Sequence, residues 1–171
     1  MNSYTVIRSS NDQELKSILA LRYLVLRQPW DQPAATATDE LENSSINAYI
    51  RDENGEAIAC GRLQENENKT GQIRFMAVHP DHQGKGLGKK IVIFLEEEAK
   101  KMGLKKVELQ ARENAVDFYK SCNYAIAEKS FLLWGIIQHY RMDYWWSIFT
   151  TISFFNTRKN NAKDGLYSKV V

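Results

Sequence analysis

Apolar and polar positions along the 171-residue chain recur with two alternating periods. Residues 4–8 alternate every second position and predict a short strand. Asn11 or Asp12 then offers a helix cap, with Glu14 in the first turn. Leu15, Ile18, Leu19, Arg22 and Leu26, with Leu21 and Val25 among them, recur at helical spacing until Pro29 and Pro33 stop the helix. The polar stretch 32–45 reads as a loop. Strand-like runs at 48–51 and 57–63 flank Asn54-Gly55, a hairpin turn signal. A polar link at 65–71 leads to a strand at 72–79 that Pro80 ends. In 88–102, Ile91, Val92, Leu95, Ala99 and Met102 return to helical spacing, and Gly103 follows as the cap. A strand at 106–111 presents Val107, Leu109 and Ala111 on one face. A short helix at 114–121 and strands at 124–133 and 136–144 complete the order. This is a mixed α/β pattern without repeats: one domain over 1–144, then an extension over 145–171.

Composition narrows the class. With 43% hydrophobic and 26% charged residues and three prolines, the chain reads as globular. A chain of this length buries enough surface to fold without a metal or a disulfide. Two cysteines, Cys60 and Cys122, fit neither a disulfide framework nor a four-ligand metal site, so no metal is expected. The N-terminus lacks the basic start and apolar run of a secretory signal, and no stretch reaches the roughly 18 apolar residues of a membrane span. A reducing, cytoplasmic setting is the expectation. The formal charge of +2 is the sum of +3 in the extension, where Arg158, Lys159, Lys163 and Lys169 face only Asp164, and −1 in the first 144 residues. The remainder has no basic face of the kind nucleic acid requires.

The segment His79-Pro80-Asp81-His82-Gln83-Gly84-Lys85-Gly86-Leu87-Gly88-Lys89 joins a strand to a helix. Glycines at alternate positions let backbone N–H groups converge where the helix dipole already favours an anion, so a phosphate or pyrophosphate is the expected guest. A Walker loop is excluded by Gln83 at its first glycine and Lys90 at its Ser/Thr position. The dinucleotide fingerprint is excluded by Lys89, which stands at its third glycine.

Gln83-x-x-Gly86-x-Gly88, preceded by Met76-Ala77-Val78-His79-Pro80, resembles the acyl-CoA-binding motif of the GNAT superfamily of N-acyltransferases. Downstream, Ala111-x-x-Asn114-Ala115-x-x-Phe118-Tyr119-x-x-Cys122-Asn123-Tyr124 is similar to that family's second motif, and Ile137-x-His139-Tyr140-x-Met142 to its closing strand. The resemblance implies a mixed, mostly antiparallel central sheet flanked by helices. It implies transfer of an acetyl group from acetyl-CoA to a primary amine of a small molecule or peptide, with no covalent enzyme intermediate. Carried over, the main chain of Met76 and Val78 would bind pantetheine, and an N–H near Met76 would stabilise the oxyanion. Backbone groups of Gln83, Gly84, Lys85, Gly86, Leu87, Gly88 and Lys89 would cradle the pyrophosphate, with Lys85 or Lys89 adding charge. Tyr119 would protonate the departing thiolate, and Asn114 would cap its helix and bond the cofactor.

The base that deprotonates the amine is not legible. Some relatives place a glutamate four residues before Met76, where this chain has Gln72. Glu65, Asp39, Glu40, His79 and a water-mediated route are the candidates. His139 and Cys122 read as core residues. Arg22 and Arg27 could bind an acidic acceptor, although helix arginines more often face solvent. As a helix, the extension would align Trp145, Ile148, Phe149, Ile152 and Phe155. That face would serve packing or a homodimer in preference to a membrane surface. A longer acyl-CoA donor, a CoA-binding regulatory module without turnover and a membrane-docked scaffold are the rival readings.

Overall fold

A computed structural model describes residues 4–146 and threads them into one seven-stranded sheet. The elements are β1 (Ile7–Arg8), α1 (Asp12–Leu26), β2 (Ile46–Arg51), β3 (Ala57–Asn66), β4 (Thr70–Val78), α2 (Leu87–Lys101), β5 (Lys106–Arg112), α3 (Val116–Ser121), β6 (Ala125–Leu133) and β7 (Ile137–Tyr144). The strand order is β1-β2-β3-β4-β5-β7-β6, and only the β4–β5 pair is parallel. This is the mixed, mostly antiparallel sheet that the family resemblance implies.

Several boundaries move for identifiable reasons. The strand expected at residues 4–8 shortens to Ile7–Arg8, where Ile7 meets Tyr49. The polar link at 65–71 is absorbed into the β3–β4 hairpin, because Gln64 pairs with Gln72 and Glu65 with Gly71. Ladder bonds do not need apolar side chains, and the Gln64, Asn66 and Gln72 amides bond one another on that surface. Asn114 does not cap α3: a tight turn at Glu113–Ala115 precedes the helix, which begins after Ala115 with no side-chain cap. The apolar stripe of the extension lies outside the described residues beyond Trp146. Trp145 and Trp146 themselves are not helical; Lys106 Nζ sits 5.2 Å over the Trp145 ring, and Lys100 Nζ 5.9 Å over Trp146.

The helices cover opposite faces. Leu87, Ile91, Val92, Leu95 and Ala99 of α2 are buried against Ile50, Leu63, Val107 and Leu109, together with Tyr119 of α3. On the other face, Ile18 and Leu21 of α1 pack on Tyr49, Cys60 and Ala77. Both cysteines are buried, and burial pushes the Cys60 thiol up to about 11, in keeping with a packing role.

Under α1 lies an ion network. Arg22, expected to face solvent, is completely buried, and so is Arg62. One Glu42 oxygen accepts from Arg22 Nη1 at 2.8 Å and from Arg62 Nη1 at 3.1 Å. Asp39 receives both Arg62 Nη groups at 2.7 and 2.8 Å. The correction has a simple cause: an arginine can occupy a core position once carboxylates neutralise it, and spacing alone does not show carboxylates arriving from a loop. The Arg62 hydrogen bonds hold Asp39 below its ordinary 3.8. Burial alone would raise Glu42, but hydrogen bonds and charge from Arg22, with help from Thr38 and Arg62, bring it below its ordinary 4.5. Both carboxyls therefore bind protons more weakly folded than unfolded. Their stabilisation is complete above about pH 4.5 and fades as the pH falls through the depressed folded values. A melting-temperature series should decline from there downwards; a flat series to roughly pH 3 would contradict this.

Candidate active site

Two local departures from a regular sheet create the site. The β4–β5 ladder runs from Thr70–Lys106 to Ile73–Leu109 and then ends, although both strands continue. The two strands part beyond Ile73, leaving that edge of β4 without a ladder partner among the described residues. On its other edge β4 slips register against β3 between Cys60 and Arg62. Phe75 sits there with a φ of 52°, a left-handed conformation costly for a bulky residue. The extra residue puts Arg74 and Phe75 both on the α1 face, with Arg22, Arg62 and Arg74 guanidinium carbons 4.7, 4.8 and 5.1 Å from the Phe75 ring centre. Met76 turns to the α2 face and lies over Gly61, where any Cβ would collide with its sulfur.

The parted strands open a cleft of about 630 Å³ on the α2 side. It is lined by Met76, Ala77 and Val78, by the glycine loop, and by Asn114, Phe118 and Tyr119. Gly84 and Gly86 adopt φ values of 74° and 73°, which favour glycine. Gly88 is in the first turn of α2, where a Cβ would come within 3.1 Å of Phe118 and narrow the cleft. That turn has no acidic residue and no side-chain cap, so its N–H groups and dipole are available to an anion.

The predicted residues are mostly brought together here. Met76, Val78, Gln83, Gly84, Gly86, Leu87, Gly88, Lys89, Asn114 and Tyr119 all line the cleft. Lys85 does not; its ammonium lies 3.2 Å from the Asp81 carbonyl and 3.4 Å from the His82 ring. Gln83 reaches back to the Val78 carbonyl at 3.5 Å.

A second chamber of about 250 Å³ opens on the far side of Met76, Ala115 and Tyr119, which line both spaces. Arg27, Arg74, Arg112, Gln110, Tyr119 and His139 supply its polar lining, and among the described residues none that lines it is a carboxylate. The candidate bases from the sequence lie elsewhere: Glu65 pairs with Lys69, Asp39 with Arg62 and Arg74, and His79 accepts from the Asp81 N–H. Glu40 is likewise absent from the lining. Position 72 is taken by the amide cluster with Gln64 and Asn66. His139 is buried, with Nδ1 2.9 Å from the Ile137 carbonyl and its ring stacked on Phe131 at 4.7 Å. Desolvation lowers its pKa, and the Arg112 charge adds to this against the Ile137 carbonyl, so the ring is neutral at pH 7.

Tyr119 stands between the two spaces. Its ring is packed edge-on against Phe118 and Tyr124 at 4.9 and 5.9 Å, and the residue is only 8% exposed. Yet its hydroxyl makes no hydrogen bond among the described residues. Burial raises the phenol well above its ordinary 10, so it holds its proton throughout the neutral range.

Residues 13–124 match the Acetyltransferase (GNAT) family, a stretch containing the glycine loop, the parted strands and Tyr119. The chain belongs to this family. A similar relative is the uncharacterised N-acetyltransferase YjcF of Bacillus subtilis (strain 168), 32% identical over 130 residues, covering 75% of this chain and 91% of that one. Among solved structures, a Lactobacillus plantarum protein superposes with a TM-score of 0.75 at 19% identity, covering 84% of this chain and 99% of its own. An aminoglycoside 6'-N-acetyltransferase complexed with coenzyme A gives 0.70 at 13% identity, covering 82% of this chain and 96% of its own. At such identities the structural likeness speaks for the fold. The family assignment makes this GNAT protein an acyl-CoA-dependent N-acyltransferase. Among its described residues no cluster of His, Cys, Asp or Glu is arranged to hold a metal, and no helix is long and apolar enough to cross a membrane.

Proposed function

We propose that the protein transfers the acetyl group of acetyl-CoA directly to a primary amine. The observation that carries this reading is the parting of β4 and β5 after Ile73 beside an uncapped, acid-free helix start. The unladdered edge of β4 at Met76 and Val78 suits the amides of a pantetheine arm. The loop from Gly84 to Gly88 and the first turn of α2 suit a pyrophosphate, with Lys89 adding charge. Asn114 flanks the same cleft.

An amine entering through the arginine-lined chamber reaches the thioester beside Met76, whose N–H is the proposed oxyanion donor. The amine nitrogen bonds to the carbonyl carbon, the carbon–sulfur bond breaks, Tyr119 gives its proton to the departing sulfur, and the proton the nitrogen loses on becoming an amide restores the phenol, directly or through water. Because no carboxylate among the described residues lines the chamber, water and the neutral His139 ring are the proton acceptors these residues offer the incoming ammonium.

Thermal unfolding with acetyl-CoA, with ATP as comparison, tests the binding half. At a hundred times its dissociation constant, acetyl-CoA should add about 2.7 kcal/mol of stability, and ATP little. Gly88→Val, whose side chain enters the cleft against Phe118, should abolish the acetyl-CoA shift while the protein still melts cooperatively. Equal shifts for both proteins, or none for either, would count against the cleft as the donor site. Thiol release from acetyl-CoA across an amine panel tests turnover.

A further inference from the structure

We infer that the second chamber selects an acceptor carrying a carboxylate beside its amine, held by Arg27 and Arg112. This rests on the acetyltransferase reading, since the chamber is the entry side only if acetyl-CoA occupies the cleft. Arg27 and Arg112 come from different elements, the end of α1 and the end of β5, yet both donate to the Leu26 carbonyl, at 3.0 and 3.2 Å. Arg27 Nε donates in addition to the Thr36 carbonyl at 3.0 Å. Neither guanidinium meets a carboxylate among the described residues. The nearby acids are committed elsewhere, Glu42 to Arg22 and Arg62, and Asp39 to Arg62 and Arg74.

Two half-buried like charges on one carbonyl oxygen repel each other and lose hydration. Desolvation lowers both pKa values, and the Arg112 and Arg74 charges lower that of Arg27 further. Each guanidinium nevertheless keeps N–H groups that the protein does not use, which is the planar donor geometry a carboxylate accepts. Aromatic rings hold the pair in place: Arg112 lies 5.8 Å over Trp30 and Arg27 5.7 Å over Trp134, and the two indoles are 6.3 Å apart. The chamber, at about 250 Å³, is at the small end for a ligand site, which favours a small acceptor. The same positive field favours the free amine over the ammonium, so carboxylate binding and amine activation work together. A polycationic acceptor such as an aminoglycoside would meet repulsion.

Matched pairs test this. Amino acids are compared with their carboxamides as acceptors. N-acetylalanine and N-acetylglutamate are compared with their carboxamides as product-side probes, by thermal shift in the presence of coenzyme A. The carboxylate member should win by about tenfold or more in kcat/KM, and in Arg27→Gln and Arg112→Gln the acid-to-amide ratio should collapse towards one, through KM. A purely structural role for the arginines would lower the melting temperature without moving that ratio. Equal use of acid and amide, preference for the amide, or product-side probes that bind alike would overturn the inference. Should acetyl-CoA give no shift, the acetyltransferase reading falls and takes this with it. If acetyl-CoA binds and the ratio is one, only the carboxylate preference falls.

Discussion

Replacing Tyr119 by phenylalanine should lower kcat about a hundredfold while leaving fold and acetyl-CoA binding nearly intact. The ring belongs to the core around α2 and packs edge-on between Phe118 and Tyr124. A phenylalanine preserves those contacts. The hydroxyl has no hydrogen-bond partner among the described residues, so its removal strands nothing in the folded state. What it removes is the hydroxyl of Tyr119, which among the described residues is the O–H-bearing side chain that lines both the cleft and the chamber. Positioned acids contribute about 10²–10⁴ in rate, and the buried phenol, raised well above 10, is a weak donor that belongs near the lower limit. The expected signature is a loss in kcat with unchanged acetyl-CoA thermal shift. Retention of more than about half the activity would remove Tyr119 from the chemistry.

The second large effect falls on stability. Glu42→Gln keeps the size of the side chain but leaves Arg22 and Arg62, both fully buried, with one fewer negative charge. Removing one partner of a buried pair costs about 3–5 kcal/mol, because the remaining charge is neither hydrated nor neutralised. Against a typical total of about 5–15 kcal/mol, that is a severe loss. Glu97→Gln, which breaks a surface pair with Lys100 at 3.0 Å, should cost less than about 1 kcal/mol. Urea midpoints for the two variants measure the contrast. Similar midpoints would mean that water reaches the network. The network also carries the Phe75 bulge, so Glu42→Gln should disturb the shape of the second chamber.

Element order was legible because each helix and strand has a local period. The α2 stripe of Ile91, Val92, Leu95 and Ala99 is buried as its spacing demands. The glycine loop was equally legible, since Gly84 and Gly86 need conformations that few other residues adopt. Its neighbours mostly followed, although Lys85 turned outward to Asp81 and His82. Asn114 reached the cleft without capping α3, because a tight turn intervenes. The arginines were legible only in part, since Arg22 and Arg27 were both candidates for an acidic acceptor and only Arg27 lines the chamber. Arg22 and Arg27 are five positions apart on one segment, yet Arg22 is buried with Glu42 and Arg27 faces the chamber. Arg112 carried no signal in its own surroundings. His139 read as a core residue and is one, but its place on β7 opposite Arg112 also brings it to the chamber wall.

Periodicity, turn residues and the glycine spacing thus determined the order of elements, the family motifs and the glycine loop, because each depends on residues near one another in the chain. The tertiary structure decided where β4 leaves β5, which arginines are neutralised and which face an open chamber, and what Tyr119 lies between. These depend on contacts among α1, the 32–45 loop, β4, β5 and β7. Charge is neutralised in space, so no local pattern records which carboxylate will reach which guanidinium.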